Sequence, residues 1–364
     1  MSKKVFVSGC FDIIHGGHVE FFNQAKEFGG PNSKLIVSFA SDEVLLKYKD
    51  RKSSLPQEHK KRLLESMAVI DEVVIGTNVN QEGIDFLSHF DRIKPDYLVV
   101  TEDDKYESVK RELCWKYNCE YVVLPKTLHF EKISTTDVVN WIKAPKEVPL
   151  RVDFVGGWLD VPKYSGKGYI INCTITPTVS LKEWPYKIKS GLGGSAAYSI
   201  LTGKNAIESE LEMGVGWQDP AIINETGFCI WKSGRKPKLI VKRNPVFLEG
   251  VMALLWTGNE HDTPNNVDRK RNYKEIIEAS ECGRTILDLP SRYFHEKVAD
   301  VVELSYEIQL EEGMKPLKKY SARGRKYCGG GWGGYALYIF DGKRTRDYFC
   351  EVHDDAIAIE PYMK

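Results

Sequence analysis

Residues 1–142 alternate two periodicities that few architectures can satisfy together. The runs KKVFVSG, KLIVSFAS, DEVVIGT, DYLVVTE and EYVVLP are short and almost wholly apolar, the texture of strands covered on both faces. Between them VEFFNQAKEFG, QEHKKRLLESMAVI, GIDFLSHFDRI and YESVKRELCWKYN carry apolar residues at helical spacing, and STTDVVNWI closes the series. Val19, Phe22 and Ala25 share one face of the first such segment, and Gly29 and Gly30 end it. Strand and helix in regular alternation predict a doubly wound α/β fold on a parallel sheet.

A chain of 364 residues is too long for one comfortable core, so two domains are expected. The text KAPKEVPLR, with two prolines and several charges, marks the join. This gives a first domain over 1–143, a linker over 144–149 and a second domain over 150–364. The second has a different texture: glycine clusters, alternating strands such as GYALYIF, and few plausible helices. It reads as α+β.

The 51 basic and 51 acidic residues cancel, which gives no bulk electrostatic case for nucleic acid or a membrane surface. No leader pattern opens the chain and no apolar run is long enough to span a bilayer, so a cytoplasmic protein is expected. Eight cysteines are scattered without Cys-x-x-Cys pairs or zinc spacing, as expected of free thiols in a reducing compartment.

Chemistry concentrates where the first strand ends. His15 and His18 flank Gly16 and Gly17 at the start of a helix, on the edge of the sheet where open α/β folds bind ligands. Imidazoles and a glycine-rich helix start suit phosphate, although the spacing alone fits a loop histidine and a capping histidine equally well. Ser134, Thr135 and Thr136 begin the last helix of the domain and read either as a second phosphate cradle or as an ordinary cap. Lys47 and Lys49, in the polar stretch KYKDRK, either cover phosphates or belong to a solvated loop.

Together, Gly9-Cys10-Phe11-Asp12, His15-Gly-Gly-His18 and Ile133-Ser-Thr-Thr136 resemble the cytidylyltransferase-like nucleotidyltransferases, of the HxGH type, and look most like the adenylyltransferase half of ADP-heptose synthases. That resemblance implies a Rossmann-like domain in which a sugar phosphate attacks the α-phosphorus of ATP or CTP and pyrophosphate leaves. It implies catalytic roles for His15 and His18, and nucleotide contacts from Gly9, Cys10, Phe11, Asp12, Gly17, Lys47, Ser134, Thr135 and Thr136. His129 stands where glycerol-phosphate cytidylyltransferases usually carry arginine, which tilts the expected donor from CTP towards ATP.

Three glycine-rich elements follow in the second domain: RVDFVGGWLD, SGLGGSAAYS and GGGWGGYALYIF. None is a Walker A loop, because no Gly-Lys-Ser/Thr follows at the required spacing. The middle one has the composition of a phosphate cradle or of a flexible surface loop. Their order, with Gly216-Trp-Gln-Asp219 and MALLWTGNEHD between them, resembles the GHMP kinases of the fucokinase and heptose-kinase branch. The resemblance implies that Asp219 and Arg151 are catalytic and that Asp160, Gly157 and Gly331 bind the sugar. Gly191, Gly193, Gly194, Ser195 and Ala196 would cradle ATP, and Ser195 with Glu208 would hold Mg²⁺; Glu210 and Glu212 lie close to Glu208 in register. The inserts usual in that family are short here.

The two resemblances imply consecutive reactions: ATP phosphorylates a heptose-like sugar at its anomeric hydroxyl, and the sugar 1-phosphate is then nucleotidylated. The expected partners are sugars, sugar phosphates and nucleoside triphosphates, in a homodimer. Two alternatives stay open: a catalytically silent kinase-like domain that binds or assembles, and activation of an alditol phosphate or phosphonate with CTP.

Overall fold

A computed structural model describes residues 2–126, 132–261, 266–267 and 269–364. His129 and Asp262, which belong to sequence motifs above, lie outside the described residues. The chain divides into two compact units, Met1–Val139 and Asn140–Lys364. The division falls inside the helix Thr135–Lys143, a few residues before the proline-rich text expected to be a linker.

In the first unit five strands, β1 (Lys4–Gly9), β2 (Lys34–Ala40), β3 (Glu72–Gly76), β4 (Tyr97–Thr101) and β5 (Glu120–Leu124), form one sheet in the order β3-β2-β1-β4-β5. Every pairing in it is parallel. Successive side chains leave a strand on opposite faces. Accordingly Val5 and Val7 pack with Leu35, Val37 and Val99 on one face, while Phe6 packs with Ile36, Leu98, Phe86 and Phe90 on the other. Both faces are covered by helices α1 (Gly16–Gly29), α2 (Asp42–Lys49), α3 (Gln57–Glu65), α4 (Leu87–Ile93), α5 (Glu107–Tyr117) and α6 (Thr135–Lys143). Strand order reverses at β1, which makes its carboxyl end the natural ligand position.

Helix α2 was absent from the sequence expectation, which left KYKDRK as a polar stretch. Ser41 caps it by accepting the amide of Val44, Asp42 and Glu43 occupy its first turn, and Asp50 ends it in a left-handed conformation.

The second unit is built on an antiparallel sheet of eight strands. They are β6 (Val148–Val155), β7 (Tyr169–Val179), β8 (Phe228–Lys232), β9 (Leu239–Arg243), β10 (Met252–Trp256), β11 (Gly324–Tyr327), β12 (Tyr335–Ile339) and β13 (Ala356–Pro361). The order is β11-β12-β10-β13-β7-β8-β9, with β6 also paired to β7. Helices α7 (Gly194–Leu201), α8 (Ala206–Glu212), α9 (Gln218–Glu225), α10 (Tyr273–Arg284), α11 (Phe294–Glu311) and α12 (Lys343–Val352) complete this α+β unit, a richer helical content than its glycine-broken text predicts. One large core joins β6, β7 and β8 to α7, α9, α10 and α11 through residues such as Leu150, Phe154, Ala197, Ile222, Ala279 and Val302. Among the described residues no helix is long and apolar enough to cross a membrane.

Candidate functional sites

At the carboxyl end of β1 the two histidines cap α1 reciprocally. The Gly17 amide donates to Nδ1 of His15 at 3.2 Å, and the His15 amide donates to Nδ1 of His18 at 3.3 Å. Each ring therefore uses Nδ1 as an acceptor, and each neutral imidazole carries its proton on Nε2. The rings stack with centroids 3.9 Å apart. Burial lowers the pKa of His18 to about 4, helped by the charges of His15 and Lys126; burial, followed by Lys126, also lowers that of His15. Near pH 7 the pair presents two neutral N–H donors at a helix N-terminus.

The capping and phosphate-cradle readings of this pair are compatible, because capping sets the tautomer that donates. Gly17 contributes its amide to that cap. Gly9 is required on steric grounds: a Cβ there would meet the Phe11 ring at 2.8 Å. Phe11, held at φ 45°, stands edge-on to both His18 and Phe22 and so fixes the imidazole from below.

The start of α6 closes on the same loop. The Thr135 hydroxyl donates to the Ile13 carbonyl at 3.3 Å, while the Ser134 amide and hydroxyl both donate to Asp137, each at 2.7 Å. Ser134 is thus engaged as a cap, and Thr136 stays exposed.

One expected nucleotide contact is placed differently. The Asp12 carboxylate is buried and pins the 51–55 segment through Arg51 at 2.5 Å, the Ser53 hydroxyl at 3.1 Å and the Ser54 amide at 2.9 Å. Burial opposes its charge, but these donors hold its pKa below the usual carboxylate range. Asp12 therefore acts by positioning this segment. Lys47 is exposed at the end of α2 and lies over the Tyr48 ring. Lys49, Lys60 and Arg51 all act electrostatically on the Cys10 thiol, at the exit of β1. Sequence reasoning missed Arg51, Lys60 and Lys126. Lys60 reads as one more charge in QEHKKR, yet its side chain is wholly buried against Ala40 and the Phe39 ring.

The second unit holds a cavity of about 780 Å³ into which the three glycine-rich elements converge. Its lining includes Arg151, Gly157, Asp160, Gly191, Gly193, Gly194, Ser195, Glu210 and Asp219. Arg151 grips Asp219 with two nitrogens, Nε at 2.6 Å and Nη2 at 2.9 Å, and also donates to the Gly191 carbonyl at 2.6 Å. Beneath lies a second buried pair, Asp153 with Lys326, and Asp153 also accepts the Gly329 amide at 3.0 Å. Burial opposes the guanidinium charge of Arg151, but Asp219 and Asp153 outweigh it and hold the group firmly protonated.

Asp160 accepts the amide and side-chain nitrogen of Gln218 at 2.9 and 3.2 Å, and burial together with the Asp219 charge pushes its pKa up to about 7. Gly216 must be glycine, because a Cβ there would lie 1.7 Å from Asp160 Oδ2. Gly193 has φ +81°, and a Cβ on it would touch the Asp219 carboxylate at 3.2 Å. It caps α7, whose amino end faces this cluster.

Two further calls are corrected. Glu208 is exposed and pairs with Asn205, whereas Glu210 is buried and accepts the Ser195 hydroxyl at 2.6 Å. Residues two apart on a helix point roughly 200° away from each other, so only one of the two can face the cavity. Gly331 does not line the cavity: a Cβ there would strike Met314, and its carbonyl bonds His261 Nδ1 at 2.9 Å. Gly329 and Gly330 line it instead. Ala196 is fully buried in the core behind the loop.

Among the described residues no three acidic, cysteine or histidine side chains form a self-sufficient metal cage. Ser195 and Glu210 nonetheless fit a magnesium ion that takes its remaining ligands from phosphate and water. Burial, then the Asp219 charge, raises the Glu210 pKa to about 7, against the opposing pull of the Ser195 hydrogen bond and the Arg151 charge.

The sequence profile described as cytidylyltransferase-like matches residues 6–141. An FAD synthase of Pyrococcus horikoshii is 35% identical over 142 residues, which covers 38% of this chain and 91% of that protein. The glycerol-3-phosphate cytidylyltransferase of Bacillus subtilis is 34% identical over 138 residues, 37% of this chain and 94% of that one. A crystal structure of L. major mevalonate kinase with R-mevalonate aligns with 60% of this chain and 94% of its own at 13% identity and a TM-score of 0.40. With its parallel sheet, its histidine-capped helix and this match over residues 6–141, the chain belongs to the cytidylyltransferase-like family.

Proposed function

We propose that the first unit transfers a nucleotidyl group from ATP or CTP to a phosphorylated polyhydroxy compound, and that the second unit makes that phosphate from a sugar. The observation that carries the first half is the pair of stacked, neutral imidazoles with Nε2–H free at the start of α1. A phosphate oxygen of the acceptor attacks the α-phosphorus, the bond to the bridging oxygen breaks, and pyrophosphate leaves. His15 and His18 donate to the oxygens that gain charge, without transferring a proton. A glycerol-phosphate enzyme and a flavin enzyme among the relatives support the reaction class, not the sugar.

For the second half, the supporting observation is the convergence of Arg151, Asp160, Ser195 and Asp219 on one cavity. The glycine loop Gly191 to Gly194 and the N-terminus of α7 would bind ATP phosphates. Asp160 would hold sugar hydroxyls, and Asp219 would orient or deprotonate the hydroxyl that attacks, the anomeric one in a heptose-like sugar. Magnesium held by Ser195 and Glu210 would neutralise phosphate charge.

One observation favours a second reading, in which this unit only binds sugar: both Asp219 oxygens are already held by Arg151. ³¹P NMR with Mg²⁺, ATP or CTP, and a panel of heptoses, hexoses and their phosphates separates the two. Bifunctional catalysis requires that Asp219→Asn forms no nucleotide sugar from free sugar yet does so from the sugar 1-phosphate. If Asp219→Asn matches wild type throughout, the second unit is a binding module.

A further inference from the structure

The ligand edge of the first unit carries a carboxylate that a triphosphate does not explain. The histidine pair follows β1 and the α6 start follows β5, which places the triphosphate at β1 and towards β4 and β5. In-line displacement brings the acceptor from the opposite side of the α-phosphorus, over the exits of β2 and β3. There Cys10 packs with Tyr48 and Val79 against Ala40, Val44 and Leu45. Burial raises the Cys10 thiol; Lys49, Lys60 and Arg51 pull it down, and Asp85 pushes it up. Of these cations Lys60 is wholly buried and Arg51 is held by Asp12, while Lys49 is exposed.

Asp85 lies directly on Gly76, the last residue of β3. A Cβ at Gly76 would come within 1.9 Å of Asp85 Oδ2, so the glycine is what lets the carboxylate reach the strand end. Among the described residues Asp85 has no ion-pair partner, and its own amide is the only donor that favours its charge. The one charge that lowers its pKa, Lys110, is already paired with Asp104 at 2.9 Å. An exposed cation such as Lys49 suits the phosphate of an acceptor, whereas a bare carboxylate repels phosphate and accepts hydrogen bonds from hydroxyls.

We propose, on the nucleotidyltransferase reading above, that Asp85 determines acceptor specificity by accepting hydrogen bonds from hydroxyl groups of a polyol or sugar phosphate. Lys49, exposed and acting on the nearby Cys10 thiol, holds that acceptor's phosphate.

The test compares Asp85→Asn and Asp85→Ala with wild type in full-length protein. Pyrophosphate release is measured with glycerol 3-phosphate and a hexose 1-phosphate, and calorimetry measures binding of glycerol 3-phosphate and of inorganic phosphate. Both variants are expected to lose roughly tenfold or more in kcat/KM for polyol acceptors. The KM for nucleotide should stay unchanged, and inorganic phosphate should bind as well as before or better. An unchanged preference for glycerol 3-phosphate over inorganic phosphate in both variants overturns the assignment, as does an equal loss for the two ligands. If wild type releases no pyrophosphate from any acceptor, the activity reading fails instead, and the calorimetric preference still decides the role of Asp85.

Discussion

His18 is buried as a neutral donor, and two behaviours follow from its pKa of about 4. In the unfolded chain an imidazole titrates near 6.5, so between pH 4 and 6.5 the unfolded state binds more protons. The contribution of His18 to stability is therefore full above pH 6.5 and is lost as pH falls towards 4; acid denaturation curves of His18→Gln should be flatter in that window. His18→Ala should slow nucleotidyl transfer about a hundredfold to a thousandfold, judged from single oxyanion donors, with little change in nucleotide KM. Glu210 has the opposite sign. Its pKa of about 7 lies above the unfolded value, so its contribution is present at low pH and lost as pH rises through 7. Magnesium binding, which needs the carboxylate, should strengthen over the same range, and Glu210→Gln should abolish that dependence while Glu208→Gln leaves it intact; titration calorimetry at pH 6 and 8 checks both. The choice between the two glutamates was legible in principle, because Ala206 and Glu210 stand four apart and are the buried positions of α8.

Elements carry the next layer of consequence. Helix α7 begins at Gly193 in the left-handed region with the Asp219 carboxylate against it, so Gly193→Ala should cost about 1–2 kcal/mol and weaken ATP binding. Chemical denaturation and nucleotide titration measure the two effects separately. Removing one partner of the buried Arg151 pair should cost more, about 3–5 kcal/mol for Asp219→Ala, because an uncompensated guanidinium is left inside. The alternation of strand and helix in residues 1–142 announced the parallel sheet, since strands covered on both faces must be continuously apolar. Helix α2 escaped notice because eight residues are too few to display a helical period, although Ser41 followed by Asp42 and Glu43 carried the capping signal. Three helices of the second unit were underestimated for the same reason: α7, α8 and α9 span only 8, 7 and 8 residues between glycines.

At the scale of the whole molecule, the proposed pair of consecutive reactions should be separable by complementation. Full-length His18→Ala mixed with full-length Asp219→Asn is expected to restore nucleotide-sugar formation from free sugar, which neither variant forms alone; product appearance by ³¹P NMR checks it, and failure of the mixture while His18→Ala still makes sugar 1-phosphate and Asp219→Asn still consumes it would mean that the intermediate does not pass through solution. By itself the sequence determined the parallel sheet of the first unit, the position of the histidine pair at the exit of β1 and the order of the glycine-rich elements, because periodicity and glycine spacing are local properties of a chain. Only the tertiary structure decided that Asp12 pins a loop, that Glu210 and not Glu208 faces Ser195, that Gly331 turns away from the cavity, and that Asp85 stands on Gly76. Each of those depends on which distant residue meets the side chain, and a carboxylate paired with arginine, capped by amides or left bare has the same letter in the sequence and a different chemistry.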